Sequence, residues 1–234
     1  MHASSVDHDL YDVAARFDLL QHPFYQRWAQ GSLTRAELAY YALQYGHVVR
    51  AIPRWLACAA AKDRAHEDQL RAHAAEESTH VGMWDRFALA LGCDEAEIAA
   101  SIPNAATAAF IATGDDLTAQ GHGPAVVWSI EAQSPAVSAE KLRGLRAHYG
   151  INADNGGGYF ALHQELDREH EAALRRLIGG SGVVGRAAAP SVAASMLAGM
   201  WDLLTSAQAA YLEPTRGGRL LGVAALPAWH GRLA

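Results

Sequence analysis

Two histidines and an aspartate, His163, Asp167 and His170, stand at i, i+4 and i+7 within one charged segment of the chain. At about 3.6 residues per turn these positions share a narrow arc of one helix face. Imidazoles and a carboxylate aimed at a common point suit a divalent transition metal, whereas a solvated charged helix scatters such groups around its circumference. One helix cannot complete a two-metal site, because dimetal centres in helical bundles draw inward-facing Glu and His from several helices. A second contribution comes from the run Glu76, Glu77, Ser78, Thr79, His80. Glu76 lies one full turn before His80, and Glu77 makes a Glu-x-x-His pair with it; spacing leaves the choice between the two glutamates open. A third comes from Glu131, set among Val126, Val127, Trp128, Ile130 and Ala132. A lone carboxylate buried there is costly unless a cation compensates it. Pro135 strengthens this reading, since its ring clashes with the carbonyl of Glu131 and should kink the helix beside the ligand. Glu76 or Glu77, His80, Glu131, His163, Asp167 and His170 together supply three carboxylates and three imidazoles. That set suits two iron or manganese ions with positions left open for dioxygen.

The elements that must hold these groups are helices. Nearly every long segment is rich in Ala, Leu, Glu and Arg with a 3.6-residue period, and none alternates like a strand. The periodicity predicts helices over residues 5–20, 23–29, 35–61, 65–91, 94–101, 105–112, 124–149, 158–178 and 191–212, hence an all-α fold. Thr34 with Glu37 forms a capping-box signature, and Asp94 opens an acidic first turn. Gly92, Gly150 and the pair Gly179, Gly180 mark helix ends, while Asn155, Gly156, Gly157, Gly158 is a flexible approach to the metal-face helix.

A chain of 234 residues, 50% hydrophobic and 19% charged, fits one helical domain over residues 1–213 followed by a tail, 214–234. Leu220, Leu221, Val223, Leu226 and Trp229 in that tail are expected to pack on the body or on a second copy in a homodimer. A net charge of −6, with no basic cluster longer than Arg175, Arg176, argues against nucleic acid as a partner. Cys58 and Cys93 form no CxxC pair and read as core thiols. Without a cationic leader at the N-terminus or a run of about 18 apolar residues, no membrane partner is expected and the chain reads as cytoplasmic.

Several stretches resemble the haem-oxygenase-like dimetal oxidases. They are His22, Pro23, Phe24, Tyr25, Gln26, Arg27, Trp28; Leu38, Ala39, Tyr40, Tyr41, Ala42; and Glu131, Ala132, Gln133, Ser134, Pro135 with Glu140, Lys141, Leu142, Arg143, Gly144, Leu145. The resemblance spans residues 9–210 and is nearest to the chlamydial and bacterial para-aminobenzoate synthases of that family. It implies a seven-helix bundle, and it makes Glu131, His163, Asp167, His170 and His80 ligands, with Glu76 completing the set. Here the chain departs from the pattern: relatives place six residues between this Glu and its His, and only three separate Glu76 from His80.

The resemblance further implies that such synthases consume their own side chains. Tyr25 takes the position of the tyrosine that becomes the product ring and Lys141 that of the amino donor, with Tyr41 and Tyr159 around the centre. Tyr159 also falls one turn before His163, on the metal face by spacing alone. Lys141 is ten residues beyond Glu131, about 15 Å along a straight helix, so it reaches the metals only if the Pro135 kink turns it inward. The expected reaction is oxygenase or oxidase chemistry at two divalent metals, with dioxygen and an external reductant as co-substrates. Two alternatives share the fold. One is a dimetal oxygenase acting on an external amino acid or fatty acid. The other is a metal-free TenA-like hydrolase, which needs a cysteine nucleophile with a histidine partner.

Overall fold

The computed structural model describes residues 3–210, with side chains from residue 6 onward. Every regular element among them is helical. In chain order these are α1 (Ala3–Arg16), α2 (Pro23–Ala29), α3 (Arg35–Lys62), α4 (Glu67–Leu91), α5 (Glu95–Ala100), α6 (Ala105–Ala119), α7 (Gly123–Glu131), α8 (Ser134–Gly144), α9 (Gly158–Gly180) and α10 (Val183–Ala209). Setting aside the short α2 and α5 and counting α7 with α8 as one interrupted rod leaves seven long rods, the bundle that the resemblance implies. Its core is aromatic around the middle of the molecule, where Phe24, Trp28, Tyr41, Trp84, Phe87 and Phe160 are all buried.

Local chemistry accounts for most boundaries. Thr34 and Glu37 form the reciprocal capping box at the start of α3, and Asp94 and Glu97 form another at α5. Gly92 ends α4 at φ 104°, a left-handed conformation that an L side chain resists. His22 caps α2 by accepting from the Phe24 amide at 3.0 Å, and its Nε2 pairs with Thr205 Oγ1 at 3.0 Å. Both ring nitrogens are therefore engaged in placing α2, the helix that carries Tyr25.

Besides α1, which ends at Arg16 rather than at residue 20 and is followed by a 3-10 turn, Leu19–Gln21, three helices differ from the sequence expectation, each for a packing reason. α6 runs to Ala119 rather than to residue 112, straight through Gly114. That glycine is a gap and not a stop, because a Cβ there would collide with the Trp55 ring. α10 starts at Val183, eight residues before the expected residue 191, and carries Pro190 inside it. The lost hydrogen bond is tolerated because Ala189, Val192, Ala193 and Met196 are buried against the body. This helix also has the length and composition of a membrane span, contrary to the expectation of none, yet it packs against α1, α6 and α7. Finally, the predicted helix 124–149 is three pieces: α7, α8 and a π-helical turn, Leu145–Tyr149. The tail at 214–234, with the dimer contact expected of it, lies outside the described residues.

The interruption between α7 and α8 positions the site. Pro135 sits in the first turn of α8, where its missing N–H is harmless, and α7 ends at Glu131. The expected kink is thus a full break. Gln133 pins it: its Oε1 accepts from the Leu19 amide at 2.9 Å, and its Nε2 donates to the Phe17 carbonyl at 2.9 Å and the Ala14 carbonyl at 3.3 Å. α8 then lies against α2, where Trp28 Nε1 donates to the Lys141 carbonyl at 3.1 Å. Gly144 permits this approach, since a Cβ would stand 2.7 Å from Trp28 Cδ1.

Candidate metal centre

α4, α7 and α9 each turn ionisable side chains into one buried space. From α4 come His73, Glu77 and His80, from α7 Glu131, and from α9 His163 and Asp167, all buried, together with the partly buried His170. Their nitrogens and oxygens converge. His170 Nδ1 stands 3.9 Å from Glu77 Oε1, 3.9 Å from Glu131 Oε1 and 3.9 Å from Asp167 Oδ1. His80 Nδ1 donates to Glu77 Oε1 at 3.1 Å, and His73 Nε2 lies 2.9 Å from Glu131 Oε1. Two groups have ligand atoms all within 4.8 Å of one another: His73, Glu77, Glu131 and His170, and Glu77, His80 and His163.

Neighbouring acceptors fix which nitrogen faces inward. His163 Nδ1 donates to the Tyr159 carbonyl at 2.7 Å, which leaves Nε2 aimed at the cluster. The His170 Nε2 donates to Glu76 Oε2 at 3.2 Å, which leaves Nδ1 inward. Such outer carboxylates and carbonyls are the usual means by which metal-binding imidazoles are oriented.

The cluster is electrostatically incomplete by itself. Burial drives the Asp167 carboxyl up to about 9, aided by the nearby Glu131 and Glu77, and pushes Glu131 well above the usual carboxylate range. Burial likewise presses His163 down to about 4, and it lowers His73 and His170. Glu77 and His80 alone behave as an ion pair. Burial is the largest single influence and opposes both charges, but their mutual hydrogen bond and the attraction of the surrounding charges together outweigh it and hold the Glu77 carboxyl down and His80 up.

Six buried polar atoms in this space have no hydrogen-bond partner: His73 Nε2, both Glu131 oxygens, His163 Nε2, Asp167 Oδ1 and His170 Nδ1. Each orphan costs about 1–3 kcal/mol, and six of them rival the roughly 5–15 kcal/mol of net stability typical of a folded domain. Divalent cations satisfy carboxylate and imidazole lone pairs together, so these residues fit a metal centre.

Each predicted residue can now be placed. Glu131, His163, Asp167, His170 and His80 meet in the cluster. Of the two glutamates, Glu77 lies inside at 2% exposure while Glu76 stands on the rim against His170, so the geometry gives the inner position to Glu77 rather than Glu76. The tyrosines and the lysine also gather. Lys141 Nζ donates to Tyr41 Oη at 2.8 Å, and Tyr41 Oη pairs with Tyr25 Oη at 3.0 Å. Lys141 is buried among aromatic faces, 4.8 Å from the Tyr25 ring centre and 5.1 Å from that of Tyr45, and desolvation lowers its ammonium to about 7. Tyr159 stacks on His163 with ring centres 3.8 Å apart.

One internal cavity of about 30 Å³ joins the two halves of the site and is lined by Tyr25, Tyr45, Glu77, Glu131, Lys141, Tyr159, His163 and Asp167 among others. A larger groove of about 440 Å³, near Lys62, His122 and Ile178, contains none of these groups. Sequence reasoning passed over His73 and Tyr45. The signal for His73 was present: His73, Glu77 and His80 repeat the i, i+4, i+7 pattern of His163, Asp167 and His170, and six residues separate His73 from His80.

The chain is similar to several known proteins. Over 172 residues the chain is 33% identical to a 4-aminobenzoate synthase of Chlamydia muridarum, covering 68% of this chain and 72% of that one. It is 31% identical over 200 residues to the 4-aminobenzoate synthase of Chlamydia pneumoniae, covering 80% and 88%. Among solved structures, a domain of unknown function with a haem-oxygenase-like fold from Shewanella denitrificans matches with TM-score 0.74 at 18% identity, over 86% of this chain and 90% of that one. A TenA homologue from P. horikoshii matches with TM-score 0.70 at 16% identity, over 88% and 98%. These two likenesses speak for the fold alone. Residues 39–206 match the family model of iron-containing redox enzymes, and the chain belongs to that family.

Proposed function

We propose that this protein is a dimetal oxygen-activating enzyme of the 4-aminobenzoate synthase type, which builds its product from its own Tyr25 and Lys141. Glu77, His80, Glu131, His163, Asp167 and His170 would hold two iron or manganese ions. Bound there, the ions would supply dioxygen activation and redox equivalents, with an external reductant restoring them.

The observation that carries this reading is the small cavity between cluster and tyrosines. Pockets for small organic substrates are about 300–1,000 Å³, whereas the space here is about 30 Å³. A space of that size suits water or dioxygen better than an amino acid or a fatty acid, which supports the self-derived reading. Three oxidisable rings meet this space, Tyr25, Tyr45 and Tyr159, and of these it is Tyr25 whose hydroxyl is joined through Tyr41 to Lys141.

The chain's own groups then have defined tasks. Lys141 Nζ, held beside the Tyr25 ring with its ammonium brought down to about 7, is free amine in about half of the molecules at neutral pH and can act as a nitrogen donor. Tyr41 links the two, accepting from Lys141 and sharing a proton with Tyr25. Phe24, Trp28 and Phe160 surround the group and exclude bulk water from the oxidised ring. Tyr159, packed flat on His163, fixes the imidazole plane through its ring and its carbonyl.

Mass spectrometry after reconstitution with iron or manganese, dioxygen and reductant tests the proposal. The expected result is at most one product per chain, with covalent loss at Tyr25 and alteration of Lys141. Product formation with both residues intact, or turnover above one per chain in a Tyr25→Phe variant, refutes it in favour of an external substrate.

A further inference from the structure

We propose, resting on the dimetal reading above, that His73 is a metal ligand and that the centre consists of two unequal subsites joined at Glu77. The rim subsite is His73, Glu131 and His170; the inner one is built on His80 and His163.

The argument begins with register. His73, Glu77 and His80 on α4 and His163, Asp167 and His170 on α9 occupy the same i, i+4, i+7 pattern. The two helices face each other so that the first histidine of each meets the last of the other. The His73 and His170 ring centres are 3.8 Å apart, and those of His80 and His163 are 4.6 Å apart. The middle residues, Glu77 and Asp167, fall between the two pairs. Two facing triads of this kind make two imidazole pairs with carboxylate in the middle, one pair for each ion. Glu77 is common to both groups of converging ligand atoms, which gives it the bridging place.

The state of His73 itself points to a shared cation. Its Nε2 is 2.9 Å from Glu131 Oε1, close enough for a strong charge-assisted hydrogen bond. Yet neither atom has a hydrogen-bond partner, because the geometry is wrong for one. Both atoms are therefore left free to share a cation beside them. His73 is also buried, at 8% exposure, with the His170 ring against it, so water is a poor substitute.

The subsites differ in surroundings. His170 is 12% exposed and leans on Glu76, which is 45% exposed, so the rim ion sits beneath a solvated carboxylate. The inner pair is nearly sealed, and its His163 lines the cavity that leads to Tyr25 and Lys141, together with Glu77 and with Glu131 of the rim. Both subsites thus border the reacting side chains, and the rim subsite, reached past the exposed Glu76, is the one open to exchange with solvent. Glu76 acts outside the coordination sphere, orienting His170.

Anaerobic titration of the metal-free full-length protein with Fe(II) or Co(II), followed by calorimetry and by the Co(II) visible spectrum, tests this. Wild type should take up two equivalents in two phases of different affinity. His73→Ala and the size-preserving His73→Gln should keep one equivalent and lose the weaker phase. Glu76→Gln should keep both, with that phase weakened by roughly 10–100-fold, as for an outer-sphere partner. Pulsed EPR on wild type labelled with ¹⁵N-histidine gives a readout that needs no variant: four imidazole nitrogens are expected across the two ions. Three nitrogens, or two unchanged equivalents in a folded His73→Gln protein, overturn the assignment while leaving the dimetal reading standing. Uptake of fewer than two equivalents by wild type overturns that reading and the assignment with it.

Discussion

Replacing Lys141 with methionine should make the metal-free protein more stable, and most so at low pH. The residue is buried among aromatic rings with no carboxylate partner, and desolvation lowers its ammonium from 10.5 to about 7. One pKa unit is worth about 1.36 kcal/mol, so the charged side chain costs the folded state up to roughly 4–5 kcal/mol. The sign follows from proton uptake. Below pH 7 both folded and unfolded chains carry the proton and the whole cost is present; between about 7 and 10.5 the unfolded chain binds more protons, so stability rises with pH as the cost is relieved. Methionine keeps the stem and the volume while removing the charge. Against this gain stand the lost hydrogen bond to Tyr41, about 1 kcal/mol, and the attraction of the ammonium for the ring faces, roughly 0.5–2 kcal/mol.

The net expectation is about 2–3 kcal/mol at pH 6.5, or a Tm higher by roughly 4–12 °C for a chain of this size, shrinking toward zero near pH 10. Urea unfolding followed by circular dichroism at pH 6.5, 8 and 9.5, with wild type in parallel, measures it. The other buried titrations are common to both proteins and cancel in the difference. A variant that is no more stable at pH 6.5, or a difference that does not fall with pH, would refute the view that Lys141 is held as a strained amine.

Metal loading should raise stability by mass action, by about 2.7 kcal/mol at a hundredfold excess over Kd, and calorimetric melting should show the rise and its reversal by chelator. Gly144→Ala should destabilise by roughly 1–3 kcal/mol through overpacking against Trp28, with Lys141 displaced as α8 retreats; urea unfolding and the ultraviolet spectrum of the tryptophans report it. Gln133→Ala removes three hydrogen bonds at the break between α7 and α8. It should cost about 1–3 kcal/mol and lower metal affinity through Glu131, seen by the same titration that counts the ions.

Much of the centre could be read from spacing because helical geometry is local. His163, Asp167 and His170 must share a face whatever surrounds them, and the same arithmetic applied to His73, Glu77 and His80 places a second triad. Thr34 with Glu37, Asp94 and Gly92 set helix boundaries by bonds made within a few residues, so they too are legible. Proline and glycine were less so. Pro135 announced a disturbance but not its size, and the helices expected to end at residue 112 and to start at residue 191 instead run through Gly114 and Pro190, since a packed neighbour outweighs a local preference.

Sequence alone thus determined that this chain is helical and that imidazoles and carboxylates line helix faces, because periodicity and i, i+4 spacing follow from the backbone. Only the tertiary structure decided which glutamate points inward, that His73 meets His170, and that Lys141 reaches Tyr41 and Tyr25. Those facts depend on how far one helix is rotated and shifted against another, a property fixed by Trp28, Gln133 and Gly144 across the core and by no run of neighbouring residues.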